Sequence, residues 1–378
     1  MTKHGQSGIL RSKAKGGFLA ASLLFFIALL FPAAEIYSQN IWEAVSNPPG
    51  VKKPWWLQAG KNGCLYSADL TTGFNVSKDF GKSWNSINGS GLANPSAGFS
   101  IQEDPATGYL LAGSGDSNPG KFAYFVSKDA GRTWVKMKGY STGCGTNNGA
   151  CFLPDGDILF GGFWPAVPKM DAYYSTDHGA SCTRTASTAD GGGSFCIGYN
   201  PATKDCWMGS ENSSNSSTHA VYISTDKGRT WTSVVTPVLK EQNDKFWDVM
   251  HIVFSKSGDA VFFMCMSSVY RSKNRGASWE KVCNSGSNAG RGGWLAADPN
   301  GCIYAGDRTR LGHPIRRSEQ NGDAGSWKDW YSGINPKYGV TAITFNPADG
   351  RMYAVCVDEN VKPAIGWIYR TINPVKNN

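Results

Sequence analysis

The sequence predicts an all-β protein, a seven-bladed β-propeller, and three observations carry that prediction. The octapeptides SKDFGKSW at 77–84, SKDAGRTW at 127–134, STDHGASC at 175–182, STDKGRTW at 224–231 and SKNRGASW at 272–279 recur at steps of 50, 48, 49 and 48 residues. A period of that length marks a repeat architecture. Each of the later octapeptides follows an alternating run, AYFVS, AYYS, AVYIS or SVYRS, that reads as a strand. Upstream lie two further β-like runs around a Pro/Asp/Gly turn, as in FSIQEDPATGYLLAG, CFLPDGDILFGG and ITFNPADGRMYAV. Four strands per repeat, A to D, make a propeller blade. With 17% charged residues, 46 Gly and 14 Trp, the chain is neither a highly charged disordered polymer nor a helix-rich one.

Taken from the start, residues 1–34 read as an export signal. Lys3, Arg11, Lys13 and Lys15 precede FLAASLLFFIALLFPAA at 18–34 with no intervening acid, the pattern of an n-region and an h-region. An uncleaved signal-anchor is the competing reading, because the run is near the lower length for a spanning helix. Either way the bulk of the chain is expected to be secreted or extracytoplasmic. Residues 35–378 then form one propeller domain.

Each octapeptide is expected to be a tight turn between strands C and D. Its Ser hydroxyl and Asp carboxylate accept backbone N–H bonds, its Gly supplies a positive φ, and its Trp starts strand D. A degenerate sixth copy runs from Ser318 to Ser326-Trp327, and a seventh is reduced to Tyr369-Arg370-Thr371. Few residues remain for a last strand D. Ile41-Trp42-Glu43-Ala44-Val45 resembles Ser278-Trp279-Glu280-Lys281-Val282, so the N-terminal strand is expected to complete the last blade and close the ring. Closure removes the open sheet edge and favours a monomer.

Ten Cys in an exported chain permit disulfides. Cys196 with Cys206 and Cys144 with Cys151 are the local pairs expected; Cys64, Cys265, Cys302 and Cys356 read as small buried hydrophobes. The formal charge of +8 falls to about +4 without the four leader cations. With no Lys/Arg stripe, nucleic acid is not an expected partner, and a membrane is one only through an uncleaved leader.

These octapeptides resemble those of the Asp-box, or bacterial neuraminidase repeat, superfamily, whose motif is S-x-D-x-G-x-x-W and whose fold is sialidase-like. The resemblance covers essentially the whole chain after the leader. Members include sialidases, xyloglucan-active endoglucanases, sorting receptors and photosystem II assembly factors, so it is specific for fold and not for function. It implies that ligands meet the face opposite the boxes, formed by the B–C loops and the D–A connections.

That implication sorts the chemistry-bearing residues. The B–C loops carry Asp116, Trp164, Glu211 with His219, and Asp307, Arg308 and His313; the D–A connections carry Asp190, Trp247-Asp248, His251, Arg291, Trp294 and Tyr338. Because these loops differ from blade to blade, one asymmetric central site is expected, which favours a carbohydrate-active enzyme. Two routes fit. A glycoside hydrolase needs two carboxyls about 5–9.5 Å apart, which Asp190 and Asp248 of blades four and five can supply. A uronic-acid polysaccharide lyase needs a cation on the carboxylate and a His or Tyr to move protons, roles open to His251, Arg291 and Tyr338. Asp116, Trp164, Glu211, His219, Trp247, Trp294, Asp307, Arg308 and His313 are the candidate substrate-binding residues. Sialidase activity is disfavoured, since the first blade, KKPWWLQAGKNGCLYSAD, has no Arg. The alternative is a noncatalytic module that binds a glycan or a protein partner. No cofactor is expected, although loop acids such as Asp116 or Asp307 leave room for Ca²⁺.

Overall fold

The computed structural model describes residues 40–375 apart from 93, 95–96, 116–122, 141–149, 163–170, 186–193, 211–220, 235–248, 266–267, 285–292 and 309–311. These residues form seven four-stranded antiparallel sheets. Blades one to six each take four consecutive strands, beginning with Trp56–Ala59, Gly98–Glu103, Ala150–Phe152, Ser194–Tyr199, Val249–Phe254 and Trp294–Ala297. Blade seven combines Gly339–Asn346, Arg351–Asp358 and Ile365–Thr371 with the N-terminal strand Trp42–Val45. Trp42 pairs with Thr371 and Val45 with Ile368. Strands A lie side by side at the junctions of blades one and two, three to seven in turn, and seven and one. There the Ala59 amide donates to Thr344 Oγ1 at 3.2 Å and Asn346 Nδ2 donates to the Gly63 carbonyl at 3.0 Å.

The repeated octapeptide has the hydrogen bonding its chemistry predicts. In the first copy the Gly81 amide donates to Ser77 Oγ at 2.8 Å, Ser77 Oγ donates to Asp79 Oδ1 at 2.8 Å, and the Ser83 amide donates to Asp79 Oδ1 at 2.9 Å. The second copy repeats these bonds through Ser127, Asp129 and Thr133. Bonds from Ser83 and Thr133 hold the Asp79 and Asp129 carboxyls at about 2. Beyond the expected positive φ at Gly81 and Gly131, the residue before each glycine is also left-handed: Phe80, Ala130, His178, Lys227, Arg275 and Asn321. Several of these side chains reach an acid in the A–B turn of the preceding blade. Lys227 meets Asp155, and Arg275 meets Asp205 at 2.8 Å.

In the first two copies the tryptophan that opens strand D also ties its blade to the one before. Trp84 Nε1 donates to the Ser46 carbonyl at 2.8 Å, Trp134 Nε1 to Ile87 at 2.9 Å and Trp42 Nε1 to Trp330 at 2.7 Å. Each bond crosses to the preceding blade. Trp42 therefore occupies, in blade seven, the position that Trp84 and Trp134 hold in blades one and two. The chain passes so close to this position that a side chain is excluded: a Cβ on Gly333, whose φ is +98°, would stand 2.1 Å from the Trp42 carbonyl oxygen. Gly333→Ala is expected to cost about 2 kcal/mol or more through strain and displaced backbone, read as a lower midpoint of chemical unfolding with an unchanged slope.

Hydrophobic packing is divided among clusters that lie between neighbouring sheets, one joining Trp56, Phe74 and Trp134, another Trp207, Phe263 and Trp279. Cys265, Cys302 and Cys356 are buried as expected, and Cys64 is half-buried. The expected Cys196–Cys206 bridge is corrected. The hairpin register puts Cys206 opposite Tyr199 and Cys196 opposite Gly209, and the Cys196 thiol instead donates to the Val249 carbonyl at 3.3 Å. Cys151 is a free thiol, while Cys144 lies outside the described residues. No helix among the described residues is long and apolar enough to cross a membrane.

Candidate functional site

Strands alternate in direction, so the A–B turns and the octapeptides share one face and the B–C loops and D–A connections share the other. The candidate residues His251, Trp294, Asp307, Arg308, His313 and Tyr338 are described; Asp116, Trp164, Asp190, Glu211, His219, Trp247, Asp248 and Arg291 lie outside the described residues.

His251 and Trp294 are brought together. His251 is near the start of strand A of blade five, and Trp294 opens strand A of blade six. Their ring centroids are 4.3 Å apart, and Trp294 in turn meets Trp56 of blade one edge-on at 4.9 Å. Trp294 touches the packed clusters of blades one, two, six and seven, so it helps fill the centre of the ring as well as facing it. The His251 ring is half-buried, and its Nδ1 is buried with no hydrogen-bond partner among the described residues. Burial removes water from the charged form and lowers its pKa to about 3. At neutral pH the imidazole is therefore uncharged.

Tyr338 precedes strand A of blade seven and stacks on Trp367 of that blade, with centroids 4.6 Å apart and planes 14° from parallel. Both are half-buried. Arg308 follows strand B of blade six. Its Nη2 donates to Glu359 Oε1 at 2.6 Å, and its guanidinium lies 4.8 Å from the centre of the Trp55 ring. Lys53 donates to the same Glu359 oxygen at 3.1 Å and sits 5.6 Å from the Trp55 ring. Burial alone would raise the Glu359 carboxyl, but the bonds and charges of Arg308 and Lys53 outweigh it and hold it at about 2.

Two further candidates are described. Asp307 is buried; its amide donates to the Pro314 carbonyl at 2.8 Å and its carbonyl accepts from the Val340 amide at 2.9 Å, tying blade six to blade seven. His313 is drawn outward, with Nδ1 2.9 Å from both Asp329 carboxylate oxygens on the outermost strand of blade six. Two loop acids at the ends of strands B serve turns: Asp69 accepts the Thr71 and Thr72 amides at 2.7 and 2.9 Å, and Asp358 accepts the Asn360 amide at 2.9 Å. Among the described residues no group of three or more His, Cys, Asp or Glu side chains is placed to hold a metal.

Sequence reasoning passed over Lys53, Trp55, Trp56 and Trp367. The signal for the first three was the Lys-Lys-Pro-Trp-Trp run at 52–56, immediately before a strand A.

A family model for the BNR-Asp box repeat matches residues 76–87. No curated protein matches the chain. Among solved structures, the GH74 xyloglucanase from Xanthomonas campestris is 16% identical with a TM-score of 0.61, over 84% of this chain and 53% of that one. The extracellular domain of a one-component system from B. thetaiotaomicron is 10% identical with a TM-score of 0.63, over 87% of this chain and 40% of that one. A catalytically inactive virginiamycin B lyase from Staphylococcus aureus, with quinupristin, is 12% identical with a TM-score of 0.62, over 88% and 99%. The chain thus spans about half the length of the xyloglucanase and less of the one-component system. At these identities the likenesses speak for the fold. Turn chemistry and blade count are thus those of a seven-bladed propeller with Asp-box turns, and the Asp-box repeat model matches one of those turns.

Proposed function

We propose that this propeller is a secreted, carbohydrate-active enzyme that cleaves a polysaccharide on the face opposite the Asp boxes. One observation carries the reading: a neutral imidazole, His251, whose buried Nδ1 has no partner among the described residues, stands at the ring centre against the aromatic pair Trp294 and Trp56. Aromatic faces suit sugar rings, and a desolvated base suits proton transfer. The structural likeness to a xyloglucanase is compatible with this reading.

Two routes remain distinct. Hydrolysis would use Asp190 and Asp248 as the carboxyl pair. Elimination would use His251 and Tyr338 for the protons, with Arg291 on the uronate carboxylate. Neither route needs a resident cofactor. A noncatalytic glycan-binding role is the second reading, favoured by the use of Asp69 and Asp358 as turn formers.

The test is incubation of the purified propeller with neutral and uronic-acid polysaccharides, following reducing ends and the ultraviolet absorbance of unsaturated products. Reducing ends alone are the outcome expected of hydrolysis, and matched absorbance that of elimination. Silence on every polymer from a folded protein that still binds one of them would replace the enzyme reading with the binding one.

A further inference from the structure

We infer that the junction of blades six, seven and one holds a subsite for the anionic group of an acidic glycan, formed by Arg308 and Lys53 beside Trp55. The inference rests on the carbohydrate reading above and names its substrate class.

Three segments far apart in sequence converge there. Lys53 and Trp55 precede the first strand of blade one, Arg308 follows strand B of blade six, and Glu359 follows strand B of blade seven. Among the described residues two cations share one oxygen of one carboxylate, a set of three side chains with one positive charge more than it neutralises. The Arg308 side chain is only 10% exposed. Its Nε is buried and has no hydrogen-bond partner among the described residues. A purely structural ion-pair network normally satisfies such a donor, because an unmet buried N–H costs on the order of 1–3 kcal/mol. An incoming carboxylate or sulfate supplies both the missing acceptor and the missing charge.

The surroundings point the same way. Lys337 and Lys362 are exposed on neighbouring loops of this face, and Trp55, Tyr338 and Trp367 are half-buried. Cations interleaved with aromatic surface match a polymer that alternates acidic groups with the apolar faces of sugar rings. A neutral glycan leaves the Arg308 donor and the surplus charge unmatched. Glu359 has a defined part: it holds the guanidinium by Nη2 and so fixes the direction in which Nε is offered.

The experiment is calorimetric or affinity-gel titration of the propeller with polygalacturonate, its methyl ester, chondroitin sulfate and polyglutamate. Polygalacturonate is expected to bind roughly tenfold or more tighter than its ester, with the preference falling as salt screens it. Lys53→Gln and Arg308→Gln are each expected to shrink that preference several-fold. Lys53→Gln alters a partly exposed side chain, so its reading survives if Arg308→Gln unfolds the protein. Tighter binding of chondroitin sulfate than polygalacturonate would assign the seat to sulfate, and the reverse to carboxylate. Equal affinity for acid and ester, equal affinity for polyglutamate, or variants that bind as wild type overturn the inference. Binding confined to neutral polymers overturns it and leaves the carbohydrate reading standing, whereas binding of no polysaccharide at all overturns both.

Discussion

Trp42→Ala is expected to lower the stability of the whole propeller by about 3–5 kcal/mol, the usual cost of truncating a buried tryptophan in a core. The residue is 1% exposed and packs edge-on against Trp330 at 5.2 Å, besides the bond from its Nε1 to the Trp330 carbonyl. It also stands in the strand that completes blade seven. Removing it opens a cavity and unseats the strand that joins the two ends of the chain, so the loss should be felt by every blade. Chemical unfolding followed by tryptophan fluorescence and by far-ultraviolet circular dichroism checks this. A shift below about 1 kcal/mol would mean that the other bonds of the last blade close the ring without Trp42. Trp42→Phe, which keeps most of the packing and loses the N–H, should fall between the two.

The second large effect concerns His251. On a uronic-acid polysaccharide that the screen shows to be cleaved by elimination, His251→Gln is expected to reduce kcat/KM by about 10²–10⁴-fold, the range for loss of a general acid or base. The sign of the pH dependence follows from burial. A histidine whose folded pKa is about 3 stays neutral where its unfolded counterpart, near 6.5, takes up a proton. The unfolded state therefore binds more protons between these values, and His251 makes stability fall as pH drops from about 6.5 towards 3. The same shift predicts kcat/KM for the free enzyme with no acid limb near pH 6.5 from this residue. An acid limb there that disappears in His251→Gln would show that the imidazole is solvated and ordinary. Unchanged kcat/KM in a folded His251→Gln would remove the residue from the chemistry.

The fold was legible because its signal is local. Ser77, Asp79, Gly81 and Ser83 satisfy one another within seven residues, so the turn needs nothing from the rest of the chain and repeats as a readable word. The left-handed residue before the glycine was not legible, because Phe, Ala, His, Lys, Arg and Asn all occupy it. Its conformation is imposed by the turn rather than chosen by the side chain. The Cys196–Cys206 expectation failed for a related reason: sequence separation suggests a hairpin but does not fix its register, and three residues of offset from Tyr199 to Cys196 put the sulfurs out of line. The candidate site was readable only as a face. His251, Trp294, Arg308 and Tyr338 fell out of loop bookkeeping, yet the Lys53–Glu359 pair spans 306 residues and leaves no motif. Asn346 and Gly63, which join blade seven to blade one, are equally invisible in a linear reading.

The strand pair that completes blade seven has a mechanical consequence. Trp42 lies opposite Thr371 and Val45 opposite Ile368, so Asn40 and the segment after Thr371 leave the sheet at the same end. A pull applied through those two ends loads the hydrogen bonds one after another, from Trp42 inwards, instead of shearing all of them together. The closed ring would thus unzip under modest tension, whereas a load applied through two of its octapeptide turns would meet the lateral resistance of complete blades.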